Sequence, residues 1–213
     1  MSEVAADSAQ RDWWRRTRLV LTAPREVFTA LRDDSEEQAS ARAEPVLAIV
    51  LLAGIALALS SSAAAHLYDD PDYDALLVAV WAFLAGGLTG VFVYWLGSLL
   101  LRFGVLLLGA RAKARQTRHL LALSLVPIAV SLAVWLPRLL LYGGDWFRFD
   151  GSDEGTPAAI FGWLEVAFVA WSLGLLTLGL SILEGWTLRR SAAAVAAAAF
   201  LPALIALAVY GVI

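Results

Sequence analysis

Five apolar stretches separated by short polar segments dominate this sequence, and a polar region of 44 residues precedes them. They cover residues 45–65, 75–101, 119–142, 158–183 and 191–213. A membrane-spanning helix needs about 20 mostly apolar residues to cross roughly 30 Å of hydrocarbon, and each stretch meets that length. None shows the alternating period of a strand, and an open sheet would leave unpaired backbone groups in lipid. The pattern predicts an all-α fold, a polytopic membrane bundle of about five transmembrane helices over 45–213. Residues 1–44 form a separate N-terminal segment.

Within the second stretch the apolar run resumes after Arg102 as FGVLLLG. No polar turn divides residues 75–101, so one long, tilted helix is the simpler reading. Charge supports it. Arg11, Arg15, Arg16, Arg18, Arg25, Arg32 and Arg42 precede the first stretch. Arg102, Arg111, Lys113, Arg115 and Arg118 follow the second, and Arg189 and Arg190 follow the fourth. The opposite side receives Arg138 and Arg148 alone, fourteen cations against two. By the positive-inside rule the N-terminus is cytoplasmic and the C-terminus outside. The outer connections are acidic, with Asp69, Asp70, Asp72 and Asp74 in one and Asp145, Asp150, Asp153 and Glu154 in the other. They lack the pattern of a calcium loop and read as solvated surface.

Residues 13–32 read WWRRTRLVLTAPREVFTALR. Trp13, Trp14, Val20, Leu21, Val27, Phe28 and Leu31 fall near helical spacing, with Arg15, Arg16, Arg18 and Arg25 between them. Pro24 and Glu26 mark a second helix start, since proline suits the first turn and a carboxylate suits the N-terminal dipole. The segment is thus a short basic amphipathic helix, broken near Pro24. Its apolar side meets either the membrane interface or the bundle, and its arginines suit anionic headgroups or a protein partner. Residues 33–42, DDSEEQASAR, read as a solvated linker or helix end.

Composition narrows the chemistry. Hydrophobic residues make up 60% of the chain and charged ones 16%, too apolar for a water-soluble domain of this size. With no cysteine and two histidines, His66 and His119, disulfides, thiolate metal sites and cysteine nucleophiles are excluded. No hydrolase elbow, zinc-protease helix, phosphate loop or dinucleotide fingerprint is present. The expectation is a non-enzymatic protein with no cofactor, no metal and no nucleic-acid partner. The cationic residues include a single lysine, a bias read as a genomic signature. The composition reads as prokaryotic, which places the chain in a cell membrane.

Arg138 and Glu165 are the charges deep inside stretches. Both lie one to two turns from the outer end of their helices, so an intramembrane ion pair is open to them. Such charges are costly unless paired and mark either structure or a substrate pathway. Segments 122–134 and 197–209 align without a gap and match Pro127 with Pro202 as helix kinks. Gly86 and Gly90, beside Ala82, give the second helix a small-residue face. That face serves packing within the bundle or between protomers of a homo-oligomer.

The run from Pro24 to Leu31 has the form P-R-x-V-F-x-x-L, and a polar linker and the hydrophobic spans follow it. The third stretch carries RHLLALSLVP, with Ala122, Ser124 and Pro127, and then Trp135-Leu136-Pro137. In order and spacing this resembles the Yip family over nearly the whole chain. The resemblance implies a five-helix membrane domain with a cytoplasmic N-terminus. In eukaryotic relatives it implies adaptors of membrane traffic that bind GTPases and one another. GTPase binding is not carried over, because the long acidic N-terminal region of those relatives is reduced here to 44 residues. The reading is therefore a membrane-organising or protein-interaction adaptor. The alternative is a small transporter or channel built on Arg138, Glu165 and the proline-kinked helices.

Overall fold

The computed structural model describes residues 3–110, 113–149 and 155–210, with side chains described over 8–110, 113–149 and 155–200. Every regular element among them is helical. Helices α1 (Glu3–Leu19), α2 (Pro24–Ala30) and α3 (Glu36–Ala41) precede α4 (Ala43–Leu59). A 3-10 turn (Ala64–Asp69) leads to α5 (Ala75–Phe92), which passes through a π-helical turn (Val93–Gly97) into α6 (Ser98–Leu107). Then come α7 (Ala114–Ser124), α8 (Val126–Tyr142), a second 3-10 turn (Gly143–Phe147), α9 (Thr156–Glu184) and α10 (Leu188–Tyr210).

Among the described residues four helical runs are long and apolar enough to cross a membrane: Glu36–Leu59, Ala75–Leu107, Ala114–Phe147 and Thr156–Glu184. The second is one continuous helical run that extends past Arg102 to Leu107. The third begins before His119 and breaks at Leu125, so Pro127 falls in the first turn of α8. Proline lacks the N–H that a helix interior needs but is tolerated there. The last stretch is helical through Tyr210. The side chain of Pro202 lies outside the described residues, and so do Arg111, Asp150, Asp153 and Glu154.

The described residues divide into two compact units. One comprises Met1–Val46, Val93–Ser124 and Leu173–Ile213. Here the apolar side of α1 and α2 turns inward, with Trp13, Val20, Phe28 and Leu31 all at 0% exposure and Val27 at 1%. Burying such a side chain contributes about 1.5–3 kcal/mol relative to exposure. Phe28 and Leu120 crowd against α9 at Gly179, where an added Cβ would stand 3.1 Å from the Phe28 ring. Ser35 caps α3, its side chain accepting from the Gln38 amide, with Glu36 and Glu37 in the first turn. Gly109 and Gly185 close α6 and α9 at positive φ, the conformation in which helices commonly end. α10 packs on α6 at Gly104, where an added Cβ would stand 2.5 Å from the carbonyl of fully buried Ala194.

The other unit comprises Leu47–Phe92 and Leu125–Ser172. In it α5 lies against α4 at near backbone contact. A Cβ on Gly86 would come within 2.6 Å of the Ile55 Cα, and one on Gly54 within 2.6 Å of the Gly90 Cα. The small-residue face of α5 is thus spent on packing within the chain. Ala64, Leu67, Val78, Trp135 and Phe147 form a core around the two 3-10 turns.

Candidate functional site

Two charged constellations stand out, one in each unit, and the sequence pattern pointed to only one of them. That one joins α8 to α9. Arg138 Nη1 donates to Glu165 Oε1 at 2.6 Å, and the Ser60 hydroxyl donates to the same oxygen at 3.0 Å. The Arg138 guanidinium is 2% exposed and Glu165 is 32% exposed. Aromatic rings enclose the cation: Trp146 at 3.6 Å, Trp135 at 4.9 Å and Phe161 at 5.1 Å from their centroids. A guanidinium is weakly hydrated and stacks on ring faces, which makes arginine the cation suited to this enclosure. A cavity of about 370 Å³ in the same unit is bounded by Leu59, Tyr68, Val78, Trp135, Leu139 and Phe147. Neither Arg138 nor Glu165 lines it. The arrangement holds charge in place.

Nearby in the same unit, Asp69 ties the two 3-10 turns. Its Oδ1 accepts from the Phe149 amide at 3.0 Å and its Oδ2 meets His66 Nδ1 at 2.8 Å, while the His66 ring stacks on Phe149. The Phe149 amide and the His66 side chain hold the Asp69 carboxyl below its ordinary range. Among the described residues no group of three His, Asp or Glu side chains is placed to hold a metal ion.

The second constellation centres on the stretch read as a solvated linker or helix end; part of it is helical, as α3, but the side chains of Asp34 and Arg42 are buried, not solvated. Arg42 is 0% exposed. Each of its three nitrogens has a partner: Nε donates to His119 Nδ1 at 2.6 Å, Nη1 to the Asp33 carbonyl at 2.8 Å, Nη2 to Asp34 Oδ1 at 2.6 Å. Asp34, its side chain 3% exposed, also accepts from Arg115 Nε at 2.9 Å, and Lys113 Nζ stands 3.5 Å away. Arg115 reaches further to Glu36 at 2.8 Å and to the Asp34 carbonyl at 2.8 Å. Burial pushes the Asp34 carboxyl up. The Arg115 hydrogen bond and the charges of Arg115, Arg42 and Lys113 outweigh that and hold it below the usual aspartate range. The polar letters of 33–42 concealed this, because a buried salt bridge and a solvated linker use the same residues. The available signal was Arg42 itself, isolated among alanines just before an apolar span.

This network clamps the N-terminal helices. Gln116 donates to the Leu31 and Arg32 carbonyls at 3.4 and 3.0 Å, satisfying the open end of α2. Arg32 Nε donates to the Ile182 carbonyl at 3.1 Å. The Trp13 indole donates to Gln38 Oε1 at 2.9 Å, with Arg16 and Arg42 over its ring at 5.0 and 5.6 Å. Of the basic segment, Trp13 is therefore buried, Trp14 and Arg16 are half-buried, and Arg15, Arg18 and Arg25 are exposed.

The sequence model of the Yip1 domain matches residues 18–210, nearly the whole chain. No curated protein and no solved structure matches significantly.

Proposed function

The chain belongs to the Yip1-domain family of membrane proteins, and on that premise we propose that it is a non-enzymatic adaptor that organises membrane or protein partners through the basic side of α1 and α2. One observation carries the reading. The apolar side of these helices is buried while Arg15, Arg18 and Arg25 are exposed, so a clamped segment presents cations outward. Such a face suits anionic headgroups or an acidic protein surface. The topology that goes with it has five spans, an N-terminus in the cytoplasm of a prokaryotic cell and a C-terminus outside. The charge distribution of the connecting segments supports it.

Deleting residues 1–32 would strip Trp13, Phe28 and Leu31 from a core, so the informative variant is Arg15→Gln/Arg18→Gln/Arg25→Gln. It should fold as the wild type and lose the partner recovered by cross-linking in native membranes. Undiminished recovery would sink the adaptor reading. A reporter fused after Ile213 tests the topology, and activity on the cytoplasmic side would contradict it.

A second reading, a small transporter or channel, draws on the Ser60–Glu165–Arg138 cluster between apolar helices. Its mark is a Glu165→Gln variant that stays folded in proteoliposomes yet stops flux.

A further inference from the structure

The unit containing α6 and α7 carries a groove of about 580 Å³ on its surface, bounded by Trp95, Leu96, Leu99, Arg102, Ala114 and Arg118. Apart from the two arginines its wall is apolar except for Ser98, whose hydroxyl is turned to the Trp95 carbonyl at 2.9 Å. Trp95 and Leu99 are exposed, at 57% and 63%. The cations enter from neighbouring helices joined by residues 108–113. Arg102 lies five residues before the end of α6 at Leu107, and Arg118 four residues after the start of α7 at Ala114. At the helical rise their Cα positions are about 7.5 and 6 Å from those helix ends, and both side chains line the groove. Arg118 lies over the Trp95 ring at 4.6 Å, and its Nε is buried with no hydrogen-bond partner among the described residues.

Two cations lining one largely apolar groove, one with an unsatisfied buried donor, define the ligand by complementarity. We propose that this groove binds an anionic phospholipid, its phosphate held between Arg102 and Arg118 and an acyl chain lying along Trp95, Leu96 and Leu99. A free phosphate or a hydrophilic anion would leave the apolar wall unused. A zwitterionic lipid offers its phosphate together with a cation that the arginines repel. In the proposed topology the site faces the inner leaflet, where anionic lipids provide the negative surface. This site is separate from the basic side of α1 and α2, and the two fail independently.

The test is native mass spectrometry of the full chain in detergent with dioleoyl phosphatidylglycerol or dioleoyl phosphatidylcholine added. The wild type should retain one phosphatidylglycerol with about tenfold preference over phosphatidylcholine. Arg102→Gln/Arg118→Gln should abolish that preference, whereas Arg189→Gln, outside the groove, should keep it. Should the double variant fold poorly, Arg102→Lys/Arg118→Lys retains both charges and should retain most of the preference. Leu99→Trp fills the apolar part, leaves both cations and should also release the lipid. Equal retention of the two lipids by the wild type overturns the proposal. So does a phosphatidylglycerol preference unaffected by the double variant, or displacement of the lipid by excess inorganic phosphate.

Discussion

Arg42 and His119 stand 77 residues apart in the chain and meet through a 2.6 Å hydrogen bond from the arginine Nε to the imidazole Nδ1. The guanidinium is the donor here, so the ring's own proton resides on Nε2. On its other side Arg42 meets Asp34, the counter-charge that makes its burial tolerable. The two partners therefore differ in weight. His119→Leu leaves one buried donor unsatisfied, a cost of about 1–3 kcal/mol. Asp34→Asn leaves a buried cation without its countercharge, a cost of about 3–5 kcal/mol. Thermal unfolding in detergent micelles should rank Asp34→Asn below His119→Leu, and the reverse order would show that Asp34 does not neutralise Arg42.

Acid should reproduce the effect of Asp34→Asn. The Asp34 carboxyl is held below its ordinary value of 3.8 in the fold. A depressed carboxylate contributes stability that is complete above the unfolded-state pKa and lost as pH falls through the folded value. The wild type should therefore hold its advantage over Asp34→Asn at about pH 5 and above. Below 3.8 that advantage should shrink. A stability difference independent of pH down to strong acid would assign the effect of the mutation to geometry instead of charge.

The outline of the molecule was legible in its hydropathy, because lipid tolerates only backbone that bonds to itself and long apolar helices announce themselves. Arg138 and Glu165 were legible as a candidate pair for a related reason: a charge inside an apolar run is conspicuous, and depth along a helix follows from counting. The Asp34–Arg42–Arg115 cluster was not, since nothing about a polar residue in a polar stretch reveals whether water or a distant arginine satisfies it. The direction of Trp13 was equally hidden. An amphipathic face fits a membrane interface and a protein groove with the same spacing, and only the neighbours at Gln38 and Arg42 decide between them. The π-helical turn at Val93–Gly97 left no mark in an unbroken apolar run.

The glycines of α4 and α5 should separate sharply by position. A Cβ on Gly86 would meet the Ile55 backbone, and one on Gly90 the Val50 carbonyl, neither of which yields as a flexible side chain does. Gly86→Ala and Gly90→Ala should each cost about 1–3 kcal/mol through overpacking. A Cβ on Gly87 finds only the Leu51 side chain, at 3.8 Å, an ordinary contact. Gly87→Ala should leave the unfolding midpoint of the purified protein unchanged or slightly raised, given alanine's better helix propensity. Equal damage from all three would mean that α5 does not approach α4 this closely.

The Arg138–Glu165 pair makes the strongest test of structure against function, because its two halves should not behave additively. Glu165→Met removes the countercharge of a cation that is 2% exposed and ringed by Trp146, Trp135 and Phe161. Breaking a buried pair from one side costs about 3–5 kcal/mol, and the 32% exposure of Glu165 puts this case near the lower bound. Arg138→Met leaves a carboxylate that keeps Ser60 as a donor, so its cost should be smaller. Replacing both by methionine removes the charges together and leaves apolar matter among aromatic rings, where exchange of an ion pair for hydrophobic side chains is often neutral. Unfolding measured for wild type, both single variants and the double variant should show the double more stable than Glu165→Met alone. If instead the two losses simply add, the residues do not act as a pair, and the case for a structural charge clamp between α8 and α9 falls with them.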